Sequence, residues 1–235
     1  MLRAFCLFLC LFLAACGRPL SDAETVYLDA LFGDAADFSA MRLVDGHFVG
    51  GVSYTIPVRP RVTCQERLWP PITETRRMRV SPAATVVFNT VMLRKDLFRD
   101  DLMAGFPDRI DLLQAMLLAH EAVHVWQWQA RDRTGYHPLR GLGEHAGRGD
   151  PYLFDPDATD RRFLDFGYEQ QGAIVEEYVC CRVLDPDAPR TARLRALIAQ
   201  ELPVDGLDAV LEDPRIAVPW RGLTVAGICR AGEHG

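Results

Sequence analysis

Two histidines and an acid stand at a spacing that suits metal chemistry: His120-Glu121-Ala122-Val123-His124. Residues four apart on a helix lie one turn apart on the same face, so both imidazoles can reach one ion. Zinc accepts nitrogen ligands in a tetrahedral shell, and a catalytic zinc keeps three protein ligands with water in the fourth position. Glu121 stands beside such an ion, where it can take a proton from that water without entering the shell. A pattern with two free positions also arises by accident, so its surroundings decide what it is worth. Here it sits inside an apolar helical run that follows strand-like sequence. The bland alternative is a pair of core or capping histidines with a surface glutamate.

A third ligand should come from a second helix packed against the first. The candidates are the acids of Tyr168-Glu169-Gln170-Gln171-Gly172-Ala173-Ile174-Val175-Glu176-Glu177-Tyr178, chiefly Glu169 and Glu176, together with His137 and His145 in the glycine-rich segment between the helices. Glu169, Ala173 and Glu176 share one helical face, so one acid can bind a metal while the other, two turns away, orients a histidine. Hydrolysis of a peptide bond also needs a donor for the developing oxyanion. Tyr136, His137, His145, Tyr168 and Tyr178 are the candidates for that role.

The stretch Leu117-Leu118-Ala119-His120-Glu121-Ala122-Val123-His124-Val125-Trp126-Gln127, with Glu169-Gln170-Gln171-Gly172-Ala173 downstream, resembles the zincin-type metallopeptidases whose third ligand is glutamate, the gluzincins. In particular it is similar to bacterial families reading His-Glu-x-x-His-x-x-Gln and then Glu-x-x-Ala. The resemblance covers Leu112 to Tyr178, roughly a third of the chain. It implies a zincin-like α+β fold, Zn²⁺ as cofactor with Glu169 as third ligand, Glu121 as general base, and a protein or peptide as substrate. Gly172 departs from it, standing where the family usually has alanine. The metzincin pattern is not met, because residues 127–133 supply neither its glycine nor its third histidine. In thermolysin-like enzymes the strand before the zinc helix pairs with extended substrate, and Ala84 to Leu93 is in the right order to be that strand. The competing expectation is a non-catalytic binding or envelope assembly module that keeps the fold without turnover.

These residues need elements to hold them. Ser21-Asp22-Ala23-Glu24 reads as a capping box opening a short helix to Phe32, broken by Gly33. Phe48 to Arg61 and Ala84 to Leu93 are strand-like runs, the first made irregular by Pro57 and Pro60. Asp108 to Arg133 is the strongest helical segment, apolar on nearly every side and so expected to be buried. Thr134 to Thr159, rich in glycine, reads as a long loop or lid. Helices are expected over Arg162 to Leu184, Thr191 to Glu201 and Leu207 to Glu212. A small β-region followed by helices is an α+β arrangement.

At the N-terminus, Arg3 precedes the uncharged run Ala4 to Ala15, the layout of a secretory signal and too short for a membrane span. Leu13-Ala14-Ala15-Cys16-Gly17 resembles the lipobox of bacterial lipoproteins, which implies cleavage after residue 15, a lipid on Cys16, and an anchored protein facing the periplasm. No aspartate follows Cys16, so resemblance to known sorting signals favours the outer membrane. Cleavage removes Cys6 and Cys10 and leaves Cys64, Cys180, Cys181 and Cys229, an even number in a compartment that permits disulfides. A bridge between the adjacent Cys180 and Cys181 would be strained, so each is expected to find a distant partner in Cys64 or Cys229. The chain divides on this reading into a leader (1–15), a lipidated segment with a short helix (16–40) and a metallopeptidase domain (41–235). With 26 Lys+Arg against 32 Asp+Glu the chain is mildly acidic, which argues against nucleic acid as a partner.

Overall fold

The computed structural model describes residues 17–46, 51–146, 149–157 and 160–230. The leader, Cys6, Cys10 and Cys16 lie outside the described residues, as do residues 48–50 of the first strand-like run.

Helix α1 spans Asp22–Phe32. Ser21 accepts from Glu24 N–H while the Glu24 carboxylate returns to the Ser21 N–H, so the capping box forms as the sequence predicts. The chain leaves the helix at Gly33, whose φ of 47° suits a residue without Cβ. This helix packs into the body of the fold. Tyr27, Leu28, Leu31 and Phe32 are buried in the same core as the metal-motif helix, and Tyr27 donates its hydroxyl to the Ala115 carbonyl at 2.9 Å. Removing these apolar side chains from water ties the helix to the rest of the fold.

Three small sheets follow. Strands β1 (Arg42–Asp45), β5 (Thr90–Leu93) and β4 (Ala84–Val87) form one, in the order β1-β5-β4, with β1 parallel and β4 antiparallel to β5. Strands β2 (Tyr54–Pro57) and β3 (Arg77–Val80) pair antiparallel, and β6 (Arg109–Asp111) pairs in parallel with β7 (Arg215–Ala217). Ala84 to Leu93 is therefore a hairpin, not one strand. Its turn carries no glycine or proline to announce it. Phe88 adopts a φ of 58° and its ring lies 4.5 Å from that of Trp128 at a tilt, and Asn89 accepts from Gln129, so tertiary contacts hold a turn that local preference resists.

A four-residue helix α2 (Cys64–Arg67) precedes β3, and the long helix α3 runs from Leu112 to Gln129 with Asp111 as its N-cap. It is buried along nearly its whole length, polar residues Gln114, His120, Glu121, His124 and Gln127 included. The short helix α4 (Arg131–Thr134) ends at Gly135, and α5 (Pro138–His145) occupies the segment expected to be loop. Pro138 pre-sets the first turn of α5 and His137 caps it, two start signals that its glycines mask. The helix that carries Glu169 and Glu176, α6, spans Tyr168–Leu184; a 3₁₀ turn at Phe163–Asp165 takes the place of the expected first turn and a half. Helices α7 (Pro189–Ile198) and α8 (Gly206–Val210) complete an α+β fold whose centre is the packing of α3 on α6. No helix among the described residues is long and apolar enough to cross a membrane.

Two disulfides brace this centre, Cys64–Cys180 and Cys181–Cys229. Each member of the adjacent pair on α6 takes a distant partner. The first staples α2 to α6, and the second staples the C-terminal segment to α6.

Candidate metal centre

Helix α3 presents His120 and His124 one turn apart toward α6, which presents Glu169 from its first turn. The Nε2 atoms of both histidines lie 3.3 Å from the same Glu169 oxygen, Oε2. One donor atom from each of the three residues falls within 4.8 Å of the others, and all three side chains are buried. The opposite ring nitrogens are held from behind. His120 Nδ1 meets Glu176 Oε2 at 3.2 Å, and His124 Nδ1 meets Gln127 Oε1 at 2.8 Å. Such outer contacts fix ring orientation and leave Nε2 free to face inward, the pattern of histidines that bind metals. Two imidazoles and one carboxylate converging in a buried space are a donor set that fits zinc.

The outer contacts form a network of their own. Gln127 also donates through Nε2 to the Tyr168 carbonyl and to Gln171 Oε1, tying the two helices together at the level of His124. Gln65 of α2 donates to Glu176 Oε1 at 2.7 Å. The chain of support for His120 thus runs from α2 through Glu176. At the N-terminus of α6, Glu144 accepts from the backbone N–H groups of Tyr168 and Glu169 at 2.9 and 3.0 Å. These N–H groups have no intrahelical partner and favour a negative charge, so a residue of α5 positions the first turn of α6.

Electrostatics follow from burial and crowding. Burial opposes protonation of His120, but its hydrogen bonds to Glu169 and Glu176 outweigh that and raise its pKa well above the ordinary value. Burial likewise opposes the charged form of Glu169, yet His124, His120 and His145 together hold its carboxyl well below the usual range. Glu121 is 7% exposed, and burial raises its carboxyl against the pull of His120 and His124.

The other sequence candidates separate cleanly. His145 brings Nε2 to 2.9 Å from Glu169 Oε1, so it reaches the centre through the carboxylate. His137 does not reach it; its Nδ1 accepts from the Leu139 N–H as the cap of α5. Tyr136 stacks on His124 with ring centroids 6.2 Å apart, and Tyr168 spends its hydroxyl on the Gly135 carbonyl. Tyr178 is a correction: it sits on the far side of α6 among Asp208, Arg182 and Arg195, where burial pushes its hydroxyl up to about 12. A residue on α6 nine positions after Glu169 is two and a half turns along, which turns it away from the ligand face. Cys64, Cys181 and Cys229 also bring their sulfurs within 4.8 Å of one another, but the two bridges already use those atoms.

Sequence reasoning misses Tyr152, whose ring lies 5.7 Å from both His120 and His145. It stands in an irregular segment with no periodicity to read, and Arg59, clamped by Asp150, covers its face at 5.2 Å. Sequence reasoning gives Gln127 no side-chain partner. Its spacing of three from His124 on one helix face was the available signal.

Gly172 has a specific role here. A Cβ at this position meets His120 Cε1 and Nε2 at 2.8 Å, closer than carbon side chains approach. The alanine usual in the resembled families finds no space. Ala is the better helix former by about 1 kcal/mol, while overpacking a well-filled site costs about 1–3 kcal/mol. With His120 Nδ1 anchored on Glu176, the second effect should win, and Gly172→Ala is expected to lower the urea-unfolding free energy. A gain of about 1 kcal/mol instead would mean that the ring gives way freely and is not held as described.

No protein-family model and no curated protein matches the sequence. Among solved structures, the effector domain of Pseudomonas aeruginosa VgrG2b is similar at 22% identity and a TM-score of 0.49, the match covering 80% of this chain and 86% of that one. At that distance the likeness carries no argument about what this chain does.

Proposed function

We propose that this chain is a zinc-dependent peptidase with a zincin-like centre, in which His120, His124 and Glu169 hold the ion and Glu121 is the general base. One observation carries the reading: both histidine Nε2 atoms converge on one Glu169 oxygen while their Nδ1 atoms are fixed by Glu176 and Gln127. A purely structural site has no use for a buried carboxylate beside its ligands, and Glu121 supplies one. Bound zinc would supply polarisation of the substrate carbonyl and make a water molecule more acidic. Glu121 takes the proton of the attacking water on its carboxylate and delivers a proton to the departing amine nitrogen. Glu176 and Gln127 keep the histidine rings in register throughout. Tyr136, Tyr152 and His145 rim the same space, and they are the groups we propose as donors to the oxyanion.

The location follows as part of the proposal. The apolar leader and Cys16 support export and a lipid anchor on the periplasmic side of the outer membrane, and two disulfides suit an oxidising compartment.

The test is zinc content of the full-length protein purified in detergent. The wild type is expected to hold one zinc per chain, Glu169→Ala to lose it, and Glu176→Ala to keep it with affinity lowered by roughly 10–100-fold. Folded wild type that takes up no zinc from a zinc buffer would overturn the reading in favour of a binding module. Loss in Glu176→Ala with retention in Glu169→Ala would exchange the roles of the two acids.

A further inference from the structure

Beside the centre opens a cavity of about 650 Å³. Helix α6 runs along both: Glu169 faces the metal ligands, and Ala173 and Glu177, one and two turns on, line the cavity. Tyr152 stands between the two spaces, lining the cavity while its ring lies against His120. A substrate whose scissile bond sits at the centre therefore has a neighbouring side chain at the cavity mouth.

The chemistry of that side chain can be read from which polar groups in the wall are already engaged. Arg190 donates to Asp157, Glu177 and the Val62 carbonyl. Arg67 is spent on the carbonyls of Arg61, Ile228 and Arg230. Arg59 forms two bonds to Asp150. Arg161, at the rim, bonds the Asp165 carbonyl and lies over Phe166 at 4.2 Å. The guanidinium groups of Arg59, Arg67 and Arg190 are committed to the fold, while Arg161 stands exposed at the rim. The acid Glu66 is not so committed: its side chain is 20% exposed, and its contact with Arg59 is 3.5 Å long, beyond good hydrogen-bond distance. Burial raises its carboxyl, the mark of a negative charge short of partners. Exposed Asp155 at the rim adds a second acid, whose Oδ1 accepts from the Asp157 N–H.

We propose that this cavity is the subsite for a basic side chain, lysine or arginine, next to the scissile bond, with Glu66 the residue that selects it. The inference rests on the peptidase reading for its place in a reaction, but the selectivity of the cavity stands on its own geometry. A half-buried carboxylate whose one ion pair is 3.5 Å long gains most from a cation that brings several N–H donors, and an acidic side chain there would face Glu66 while Arg59, Arg67 and Arg190 are already held by other partners.

Two measurements on the full-length protein in detergent separate the cavity from the chemistry. The first is binding of Nα-acetyl-arginine amide, with the norleucine and glutamate amides as controls, by saturation-transfer NMR. The arginine amide is expected to bind best, and Glu66→Gln to weaken it roughly tenfold while leaving the norleucine amide unchanged. The second is mass-spectrometric mapping of cleavage sites in a denatured protein substrate, where one position flanking the cut should be rich in lysine and arginine. Equal binding of the three amides, or a loss in Glu66→Gln that is the same for arginine and norleucine, overturns the subsite. Selective binding of the arginine amide with no cleavage of any substrate leaves the subsite standing and sinks the peptidase reading. Cleavage without a basic preference does the reverse.

Discussion

Glu121→Gln should hold zinc as the wild type does and lose peptide hydrolysis by about 10³-fold, within the range that general base catalysis contributes. Glutamine matches glutamate in size, so the packing of α3 on α6 is kept, but its amide cannot accept the proton of an attacking water. The three donor atoms belong to other residues, and none of the hydrogen bonds that orient them passes through Glu121. Zinc content and turnover should therefore separate in this variant, whereas they should fall together in Glu169→Ala. The measurement is kcat/KM on a substrate that the wild type cleaves, with metal analysis of the same preparation. Full activity in a zinc-loaded Glu121→Gln would remove Glu121 from the mechanism and direct attention to Tyr152 or His145 at the rim.

The second large effect is on stability. Replacing Cys64 and Cys180 together by serine opens a crosslink between residues 116 apart in sequence, and loop closure of that size is worth roughly 4–5 kcal/mol in the chain-entropy model. For a chain of this length that corresponds to a fall in thermal midpoint on the order of 10 °C. The same change should reach the centre. Cys64 and Gln65 belong to α2, and the Gln65 bond to Glu176 is what holds the acid that holds His120. Zinc affinity should drop in this double variant more than in Cys181→Ser with Cys229→Ser, whose bridge secures the C-terminal segment and leaves α2 in place. An unchanged thermal midpoint would mean that Cys64 and Cys180 are not bridged in the protein. Equal zinc affinity in the two double variants would mean that α2 does not support the centre.

What the sequence determined by itself is whatever depends on near neighbours along the chain. The four-residue spacing of His120 and His124 puts both on one face of a helix, and the apolar run around them buries that helix, so the motif could be read from α-helical geometry alone. The capping box at Ser21 and the helix ends at Phe32 and Leu184 follow from local chemistry in the same way. Glu169 and Glu176 could be named as two acids on one face of α6, two turns apart, from helical spacing alone, whereas which of them faces the histidine Nε2 atoms was implied only by the family resemblance. Even the α+β class follows from the order of the patterns.

The tertiary structure decided whatever depends on residues far apart in sequence. Only folding brings Gln65 to Glu176, Glu144 to the first turn of α6, and Tyr152 with its Arg59 cover to His120, since each contact joins a long helix to a short or irregular segment far away in sequence. The turn at Phe88 and Asn89 forms against local preference because Trp128 and Gln129 receive it. Helix α1 joins the core because Tyr27 finds the Ala115 carbonyl across 88 residues. Tyr178 is the reverse case: nine residues of helical rotation turn it away from Glu169, a fact that helix geometry along the chain already contains. Periodicity along a segment tells which face is buried; it carries no information about which other segment covers that face, and the outer support of the centre is made of such coverings.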